Sequence, residues 1–496
     1  MTAVFRSSHA SPFLDYFRIP YEVVGPAAGP PLPGFVGRLE SSEDPGAGGT
    51  LFWLRARARA QLGTACVEGR YRLGTATFAG SVLPDSSATG RLAALGSGWR
   101  PTEAVLDMSG RRTASIWRDG AGNVFVPFDM GEVMQNFWSE RYRDIGRSRA
   151  AATARTALLR GYYLARPAIP RQAQLALRRR FTRIQDRSTF PGWPLESSLH
   201  ELYAWLLDLL AEVRGGPVPW LDMWPDGRTW ALVLTHDVET EFGCRNLHLL
   251  RDAERAAGYR SSWNFVPERY VVEPALLDRL RAEGCEIGVH GLRHDGRDLG
   301  SRTLLEQRLP AIRRYADRWG AVGFRSPATQ RVWEWMPELG FDYDSSSTDT
   351  DPYEPQPGGC CTYLPFFNEE LVELPITLPQ DHTLFAILPN TPPDLWVQKA
   401  RRLRDQGGMA LALAHPDYAT DPRLAHAWQL LLDEFRDDDS AWRALPREVA
   451  QWWRRRAAST VRRERGGWRV EGPAARDGRV RLHQPGTPLH LQEAVS

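Results

Sequence analysis

The chain has 496 residues, of which 42% are hydrophobic and 25% are charged, and its formal net charge is +2. This length predicts two or three folding domains, because single domains usually span roughly 100–200 residues. The balanced charge gives no indication of a nucleic-acid polymer as a partner. The five cysteines form no CxxC motif, which favours a reducing compartment over a disulfide-stabilised secreted fold.

The beginning of the sequence has no apolar core of signal-peptide length. No run in the chain reaches the roughly 18 apolar residues that are needed to span a bilayer. We therefore expect a cytoplasmic protein without a transmembrane segment, and peripheral attachment to a membrane stays open. The sequence leaves the oligomeric state undetermined.

The first 140 residues are rich in Gly and Pro and contain short apolar runs, such as LFWLRARA from Leu51 and TASIWRDGAGNVFVPF from Thr113. In the second run, Asp119-Gly120 separates two strand-like segments, which is typical of a β-hairpin. Residues 1–140 are therefore predicted to form a β-rich or α/β accessory domain. Residues 141–224 carry apolar residues at helical spacing and predict a helical connector.

Residues 225–457 alternate short apolar runs with amphipathic stretches, which predicts a parallel sheet with crossover helices. The strand candidates are WALVLTH, SSWNFV, EIGVH, VGFRS, FDYDSS, LVELPI and MALALAH. About seven such units are typical of a closed or nearly closed β/α barrel. The tail, residues 458–496, contains two strand-like pieces and predicts a small β addition.

Polar residues stand where the predicted barrel strands end. They are His236, Asp237 and Glu239 after the first strand, His290 and His294 after the third, Arg325 and Asp344 on the fourth and fifth, and His415 on the last. Active sites of parallel β/α barrels are built at the carboxyl ends of the strands. The fold is therefore expected to gather these residues at one mouth.

The histidines of this set are four residues apart, and on a helical turn His290 and His294 would share one face. With one carboxylate they form a facial triad that suits Zn, Fe, Co, Ni or Mn. Asp237 and Glu239 alternate along extended chain, and so one can bind the ion while the other accepts a proton from water. Two alternatives stay open, namely a chance pair of histidines and a pair of acids that caps the next helix.

Each of three other polar residues at the strand ends has both a catalytic and a structural interpretation. Arg325 either orients the base carboxylate by a charge-assisted hydrogen bond or forms a structural ion pair. His415 is either a general acid or a buried histidine with satisfied hydrogen bonds. Asp344 either lines the substrate pocket or serves as a turn residue before three serines.

Together these motifs resemble the polysaccharide deacetylase family of NodB homology over about residues 225–455. The matching segments are LTHDVE, EIGVHGLRH, GFRSPA, YDSS and LALAHPDY. The resemblance implies a distorted (β/α)7 barrel that binds one divalent metal, usually zinc, and hydrolyses an acetyl group from a sugar nitrogen or oxygen. It assigns Asp237 as the base, His290 and His294 as metal ligands, Arg325 as the residue that orients the base, and His415 as the general acid.

The same resemblance suggests that Leu413 lines the pocket of the acetyl methyl group. The first motif departs from the usual pair of adjacent aspartates, because Val238 takes the second place. The D-x-E form resembles a variant branch, in which Glu239 is the metal carboxylate. Gly291 replaces the usual Ser or Thr after the first histidine. Asp381 and His382, in a segment that looks specific to a subfamily, either reach the site or have a structural role, and the structural role is favoured.

The sequence therefore predicts a metal-dependent hydrolase in which Asp237 activates water to attack an acyl carbonyl and His415 protonates the leaving group. The expected substrate is an acylated sugar, and a lipid-linked or nucleotide-linked one would suit the cytoplasm. One alternative is a hydrolase of non-sugar linear or cyclic amides on the same metal site. The other is a catalytically inactive barrel that binds carbohydrate.

Overall fold

The computed structural model describes residues 3–25, 33–42, 48–58, 62–146, 190–354, 356–388, 390–465, 467–487, 492 and 494–495. The predicted helical connector falls in part on residues 147–189, which lie outside the described residues. In the described parts of the chain, no helix is both long enough and apolar enough to cross a membrane.

The described strands are two to nine residues long. In chain order they are β1 (Phe5–Ser7), β2 (Tyr21–Val23), β3 (Val36–Ser41), β4 (Thr50–Leu54), β5 (Val67–Leu73), β6 (Ala76–Val82), β7 (Arg100–Asp107), β8 (Arg112–Arg118), β9 (Val124–Val126), β10 (Val218–Leu221), β11 (Trp230–Val238), β12 (Ser262–Phe265), β13 (Glu286–Val289), β14 (Gly323–Phe324), β15 (Tyr343–Asp344), β16 (Phe366–Asn368), β17 (Leu371–Glu373), β18 (Met409–Ala414), β19 (Ala441–Arg443), β20 (Thr460–Glu464), β21 (Gly467–Glu471), β22 (Val480–His483) and β23 (Ala494–Val495).

Among the described residues, six of the ten helices begin after residue 240. They are α1 (Pro12–Phe17), α2 (Asp85–Leu92), α3 (Met130–Trp138), α4 (Ser198–Arg214), α5 (Glu241–Ala256), α6 (Pro274–Ala282), α7 (Arg302–Trp319), α8 (Leu395–Asp405), α9 (Pro422–Glu434) and α10 (Pro446–Ala457). Shorter turns of 3-10 or π type include Pro327–Thr329, Pro337–Leu339, His382–Ile387 and Pro416–Tyr418.

The chain divides into two compact units. The first contains Met1–Ala152, Ser197–Gly227 and Arg455–Ser496, and the second contains Thr153–Glu196 and Arg228–Arg454. The first unit is built on a nine-stranded sheet in the order β2-β1-β3-β4-β9-β8-β7-β5-β6. Its strands β8 and β9 are antiparallel, as the Asp119-Gly120 signal predicts. The predicted domain boundaries at 140, 224 and 457 stay predictions.

The second unit is built on a largely parallel sheet in the order β16-β17-β15-β14-β13-β12-β11-β18. Strands β11 to β15, β17 and β18 run parallel, whereas β16 pairs antiparallel with β17 and β19 adds to the start of β11. All nine residues of β11 and all six of β18 are buried. Strands that are covered on both faces read as continuous apolar runs, which explains why WALVLTH and MALALAH lack alternation.

The regular alternation of strand and helix is interrupted in the middle of this unit. Helices α5, α6 and α7 follow β11, β12 and β13, but only short turns separate β14 from β15. The turn Pro337–Leu339 ends at Gly340, whose φ of +76° is left-handed, and this combination stops a helix. After β17, the backbone N–H groups of Thr377 and Leu378 donate to the carbonyl of Leu411 in β18. The sheet is thus curled, with a contact between its two ends.

Candidate metal centre and catalytic residues

The carboxyl end of β11 divides its side chains between two faces. His236 stacks on Trp263 with ring centroids 4.1 Å apart, and its Nε2 lies 2.7 Å from Oε1 of Glu254 in α5. Asp237 instead contacts Asn264 and Arg325. Because successive side chains of a strand point to opposite faces, His236 belongs to the helix-facing layer and is separated from the candidate site.

Three side chains lie close enough together to hold a metal ion. Glu239, His290 and His294 each offer one ligand atom, and these atoms all lie within 4.8 Å of one another. Nε2 of His294 is 2.8 Å from Oε1 of Glu239. Burial raises the pKa of Glu239, but the charge and hydrogen bond of His294 outweigh burial, and the pKa falls well below its ordinary value.

His290 has the tautomer and the free lone pair of a metal ligand. Its Nδ1 lies 3.0 Å from the carbonyl oxygen of Arg325, and a carbonyl only accepts, so Nδ1 carries the proton. Nε2 therefore presents a lone pair, and this buried atom has no hydrogen-bond partner among the described residues. Burial also lowers the pKa of His290 to about 4. A divalent ion would satisfy this atom, and the donor set of two imidazoles and a carboxylate fits zinc.

The segment that holds both histidines is a loop, and the prediction that they share a helical turn is wrong. The structure has no helix between β13 and α7, and the backbone is left-handed at Gly291 (φ +63°) and at His294 (φ +53°). These reversals bring the imidazole centroids to 5.0 Å. A spacing of four residues between two histidines is thus compatible with a tight loop as well as with a helix.

The histidine loop is braced by ion pairs with α7. Arg308 donates to both carboxylate oxygens of Asp295 at 2.8 and 2.6 Å and to Asp298 at 2.6 Å. The other oxygen of Asp298 accepts the backbone N–H of Leu292 at 3.0 Å. Because Arg308 and Asp298 are buried, the bonds of Asp298 are shielded from solvent and fix the loop beside the two imidazoles.

Replacement of Gly291 by alanine is expected to destabilise the fold by about 2–4 kcal/mol, the sum of a left-handed alanine and an overpacked site. A Cβ at Gly291 would lie 2.5 Å from Oδ2 of Asp298 and 2.6 Å from the ring of Pro327. Gly258 is a matched control, because its φ is +77° and a Cβ there meets nothing within 4 Å. Urea unfolding measures the loss of unfolding free energy in each variant, and the difference between the two losses is the packing contribution. Equal losses would show that Asp298 and Pro327 leave room for the added methyl group.

Asp237 lies in a buried network of donors. Its Oδ1 accepts from Nδ2 of Asn264 at 2.8 Å and from Nη1 of Arg325 at 3.2 Å, and Oδ2 lies 3.7 Å from Nδ1 of His290. Arg325 also donates to Thr235 and to the carbonyl and hydroxyl of Ser345. Burial raises the pKa of Asp237, but the neighbouring basic side chains, of which Arg325 carries a permanent charge, outweigh burial and lower the pKa. Arg325 thus contacts the Asp237 carboxylate, and its assignment as the orienting residue stays a prediction.

The imidazole of His415 is held by Asp381, for which the sequence favours a structural role and leaves a place in the site open. Asp381 accepts the backbone N–H of His415 at 2.7 Å and lies 2.6 Å from its Nδ1, and Nε2 of His415 is 3.8 Å from Oε1 of Glu239. Burial lowers the pKa of His415, but the charge of Asp381 outweighs it and raises the pKa to about 10. His415 is therefore protonated near neutral pH, as a proton donor must be.

Glu239 is anchored through its backbone by Asp417. The backbone N–H of Glu239 donates to Oδ2 of Asp417 at 3.0 Å, and the hydroxyl of Thr240 donates to the other oxygen. Helix α5 begins beside them, where a Cβ at Gly243 would lie 2.1 Å from Oδ2 of Asp417. Gly243 thus admits the carboxylate that fixes the backbone of Glu239 and the side chain of Thr240.

Sequence reasoning missed the supporting contacts of Asn264 and Asp417, and it left open whether Asp381 reaches the site. Asn264 is a polar residue between Trp263 and Phe265 in β12, and Asp417 follows His415 by two residues. Both positions are signals that could have been used. The contact of Asp381 with His415 spans 34 residues, and no local pattern in the sequence predicts it.

The two predicted pocket residues lie in different surroundings. Asp344 in β15 is buried, and its carboxylate accepts the backbone N–H and the hydroxyl of Ser346 at 2.8 and 2.7 Å. Burial raises the pKa of Asp344 to about 6, and Glu373 adjoins it. Leu413 is buried in β18, two residues before His415. The assignment of either side chain to a substrate pocket stays a prediction.

No protein-family model and no curated protein matches the chain. Among solved structures, a "probable polysaccharide deacetylase" from Pseudomonas aeruginosa PAO1 matches 50% of this chain and 97% of its own, with 19% identity and a TM-score of 0.39. PuuE allantoinase matches 47% of this chain and 93% of its own, with 20% identity and a TM-score of 0.39. The peptidoglycan deacetylase PdaC from Bacillus subtilis matches 47% of this chain and 96% of its own, with 14% identity and a TM-score of 0.29. Polysaccharide deacetylases are thus among the solved proteins to which this chain is similar.

Proposed function

We propose that residues 225–457 form a metal-dependent hydrolase that removes an acetyl group from a sugar amide or ester. One observation carries the proposal: a group of three ligand atoms within 4.8 Å, formed by Glu239, His290 and His294, adjoins both Asp237 and His415. A carboxylate and an imidazole of opposite protonation state beside one metal site are what hydrolysis of an acyl bond requires.

The proposed metal ligands are Glu239, His290 and His294, and the ion is zinc in the first instance, with Fe, Co, Ni and Mn as alternatives of similar ligand preference. When bound, a divalent ion polarises an acyl carbonyl and lowers the pKa of water. The unpartnered Nε2 of His290 supports this assignment. The carbonyl of Arg325 holds the imidazole in the tautomer that keeps this nitrogen free.

The protein's own side chains supply the proton transfers. Asp237 accepts hydrogen bonds from the guanidinium of Arg325 and the amide of Asn264, which stabilise its ionised form, and so it can accept a proton from the attacking water. His415 is protonated because of Asp381, and so it can donate a proton to the departing amine or hydroxyl. Leu413, buried two residues before His415, is proposed to contact the methyl group of the acetyl substituent.

The fold we propose for this unit is the distorted (β/α)7 barrel of the polysaccharide deacetylases. It is supported by seven parallel strands and by the hydrogen bonds from Thr377 and Leu378 to β18. The short turns between β14 and β15 account for the distortion. The proposed substrate is an acylated sugar, and its attachment to a lipid or a nucleotide is left to experiment.

Acetate release from a panel of acetylated sugars tests the proposed function. The panel contains N-acetyl and O-acetyl monosaccharides, oligosaccharides, and nucleotide-linked and lipid-linked forms, each assayed with the zinc-loaded protein. Acetate released at a rate that rises with bound zinc supports the proposal. Ring opening of a cyclic amide without acetate favours the amidase, and saturable sugar binding without any product favours the inactive carbohydrate-binding barrel.

Replacement of Asp381 by asparagine is expected to lower kcat on an acetylated sugar roughly 10- to 100-fold, because His415 loses the charge that keeps it protonated. The loss should be small on 4-nitrophenyl acetate, whose leaving group departs without a proton. The ratio of kcat values on the two substrates is the measurement. Equal losses on both substrates would contradict the role of Asp381 in proton donation.

A further inference from the structure

Three residues on neighbouring strands form a row that leads to the proposed base. Asp237 of β11 is in register with Asn264 of β12, and Asn264 is in register with Gly288 of β13. Residues in register on parallel strands direct their side chains to the same face of the sheet. The row therefore places the Asn264 amide between the Asp237 carboxylate and the backbone of Gly288.

The amide of Asn264 restrains one oxygen of that carboxylate. Its Nδ2 donates to Oδ1 of Asp237 at 2.8 Å, and Arg325 donates to the same oxygen at 3.2 Å. All three side chains are buried. Two donors from different strands fix the plane of the carboxylate, because rotation about the Cβ–Cγ bond would break both hydrogen bonds.

The second oxygen of the carboxylate, Oδ2, is the one that can accept a proton. Oδ2 of Asp237 has His290 as its ion-pair neighbour, at 3.7 Å from Nδ1. The proton on that nitrogen is directed to the carbonyl of Arg325 at 3.0 Å. The lone pairs of Oδ2 are thus not engaged by the imidazole, whereas Oδ1 accepts two hydrogen bonds.

Gly288 provides the space in which the Asn264 amide lies. A Cβ at Gly288 would be 2.0 Å from Oδ1 of Asn264, whereas the nearest atom of any other residue, the carbonyl oxygen of Gly323, would be at 3.5 Å. The φ of Gly288 is not in the left-handed region. The glycine is therefore required by the neighbouring amide and not by the backbone conformation.

We propose that Asn264, held in the space above Gly288, is a positioning residue that fixes Oδ1 of Asp237 together with Arg325 and so makes Oδ2 the oxygen that accepts the proton. The inference rests on the proposed function, in which Asp237 is the base. In the proton transfer, an O–H bond of water breaks, its proton forms a bond to Oδ2, and the oxygen with its electron pair attacks the acyl carbon. Oδ1 keeps both hydrogen bonds throughout.

The first test measures kcat, KM and zinc affinity for the Asn264→Ala variant on the acetylated sugar found by the panel. We expect kcat to fall roughly 10- to 100-fold, as for other misplacements of a catalytic group, with KM and zinc affinity unchanged. Asn368→Ala is the matched control, because Asn368 is a buried asparagine of the same sheet that donates to the carbonyl of Trp333. An equal fall of kcat in both variants would overturn the inference.

The second test places Gly288→Ala in two backgrounds. In the natural sequence the added methyl group pushes the Asn264 amide from its position, and kcat should fall as far as in Asn264→Ala. In the Asn264→Ala background the methyl group meets no amide, and kcat should not fall further. Losses that multiply in the double variant would mean that Gly288 acts by another route, and the inference would be rejected.

Crystal structures of Asn264→Ala and Gly288→Ala separate this inference from the proposed function. A rotated Asp237 carboxylate in both variants supports the positioning role, whatever the substrate. A carboxylate that keeps its plane with Arg325 alone overturns it. Failure of the natural protein to release acetate counts against the proposed function alone, because the orientation of Asp237 is read from the coordinates.

Discussion

Replacement of Asp237 by asparagine is expected to lower kcat for acetate release by roughly 10²–10⁴-fold, the usual contribution of a general base. The asparagine keeps the size of the side chain, and its oxygen can still accept from Asn264 and Arg325. It cannot accept a proton from water. Zinc affinity should change little, because the proposed ligands are Glu239 and the two histidines. Steady-state kinetics and zinc titration of the same preparation provide the two measurements.

Asp349→Asn is the control for the loss of a buried carboxylate. Asp349 is buried and accepts from Nζ of Lys399 at 2.7 Å, and so its replacement should lower stability while kcat of the folded protein is kept. Breaking a buried ion pair by removing one partner costs about 3–5 kcal/mol. If Asp237→Asn and Asp349→Asn lost activity to the same extent, or if Asp237→Asn lost its zinc, the assignment of Asp237 as the base would fail.

We expect acetate release to fall more than about 100-fold when the ion is removed, or when both histidine ligands are replaced in the double variant His290→Ala and His294→Ala. The loss of a mere hydrogen-bond partner of a metal ligand already lowers metal affinity or activity by about 10- to 100-fold. The natural protein should bind about one zinc per chain, and the double variant should bind none tightly. Elemental analysis after dialysis measures the stoichiometry. Restored activity of the chelator-treated natural protein upon addition of zinc or cobalt completes the test.

His236→Gln is the matched control for the ligand histidines. His236 is buried on the same strand as Asp237, but it stacks on Trp263 and contacts Glu254. Its replacement should lower the free energy of unfolding and leave the zinc stoichiometry unchanged. Zinc that stays bound to the double variant at full stoichiometry would locate the ion elsewhere and refute the proposed ligands.

Much of the second unit follows from local pattern. The seven apolar runs predicted as strands correspond to β11, β12, β13, β14, β15, β17 and β18, because a buried parallel strand needs an unbroken apolar segment. The polar residues at the ends of these runs stand out for the same reason, since an apolar environment tolerates charge only where it is paired. Asp237, Arg325 and His415 are recognisable in this way.

The local conformation of the site is less accessible from pattern. The spacing of His290 and His294 suggests a helix, yet two left-handed residues form a loop there. Gly291 is the relevant signal, because it allows both the positive φ and the close approach of Asp298. A glycine in a sequence can reflect either requirement, and only its neighbours in space show that both apply here.

The sequence by itself determined the strand order along the chain, the identity of the polar residues at the strand ends, and the resemblance to polysaccharide deacetylases. Only the tertiary structure decided which groups contact one another: Asp381 with His415 across 34 residues, and Asn264 with Asp237 across 27. The physical reason is that a hydrogen bond depends on distance and direction between side chains. Those quantities arise from the packing of whole strands and helices, and no single segment encodes them.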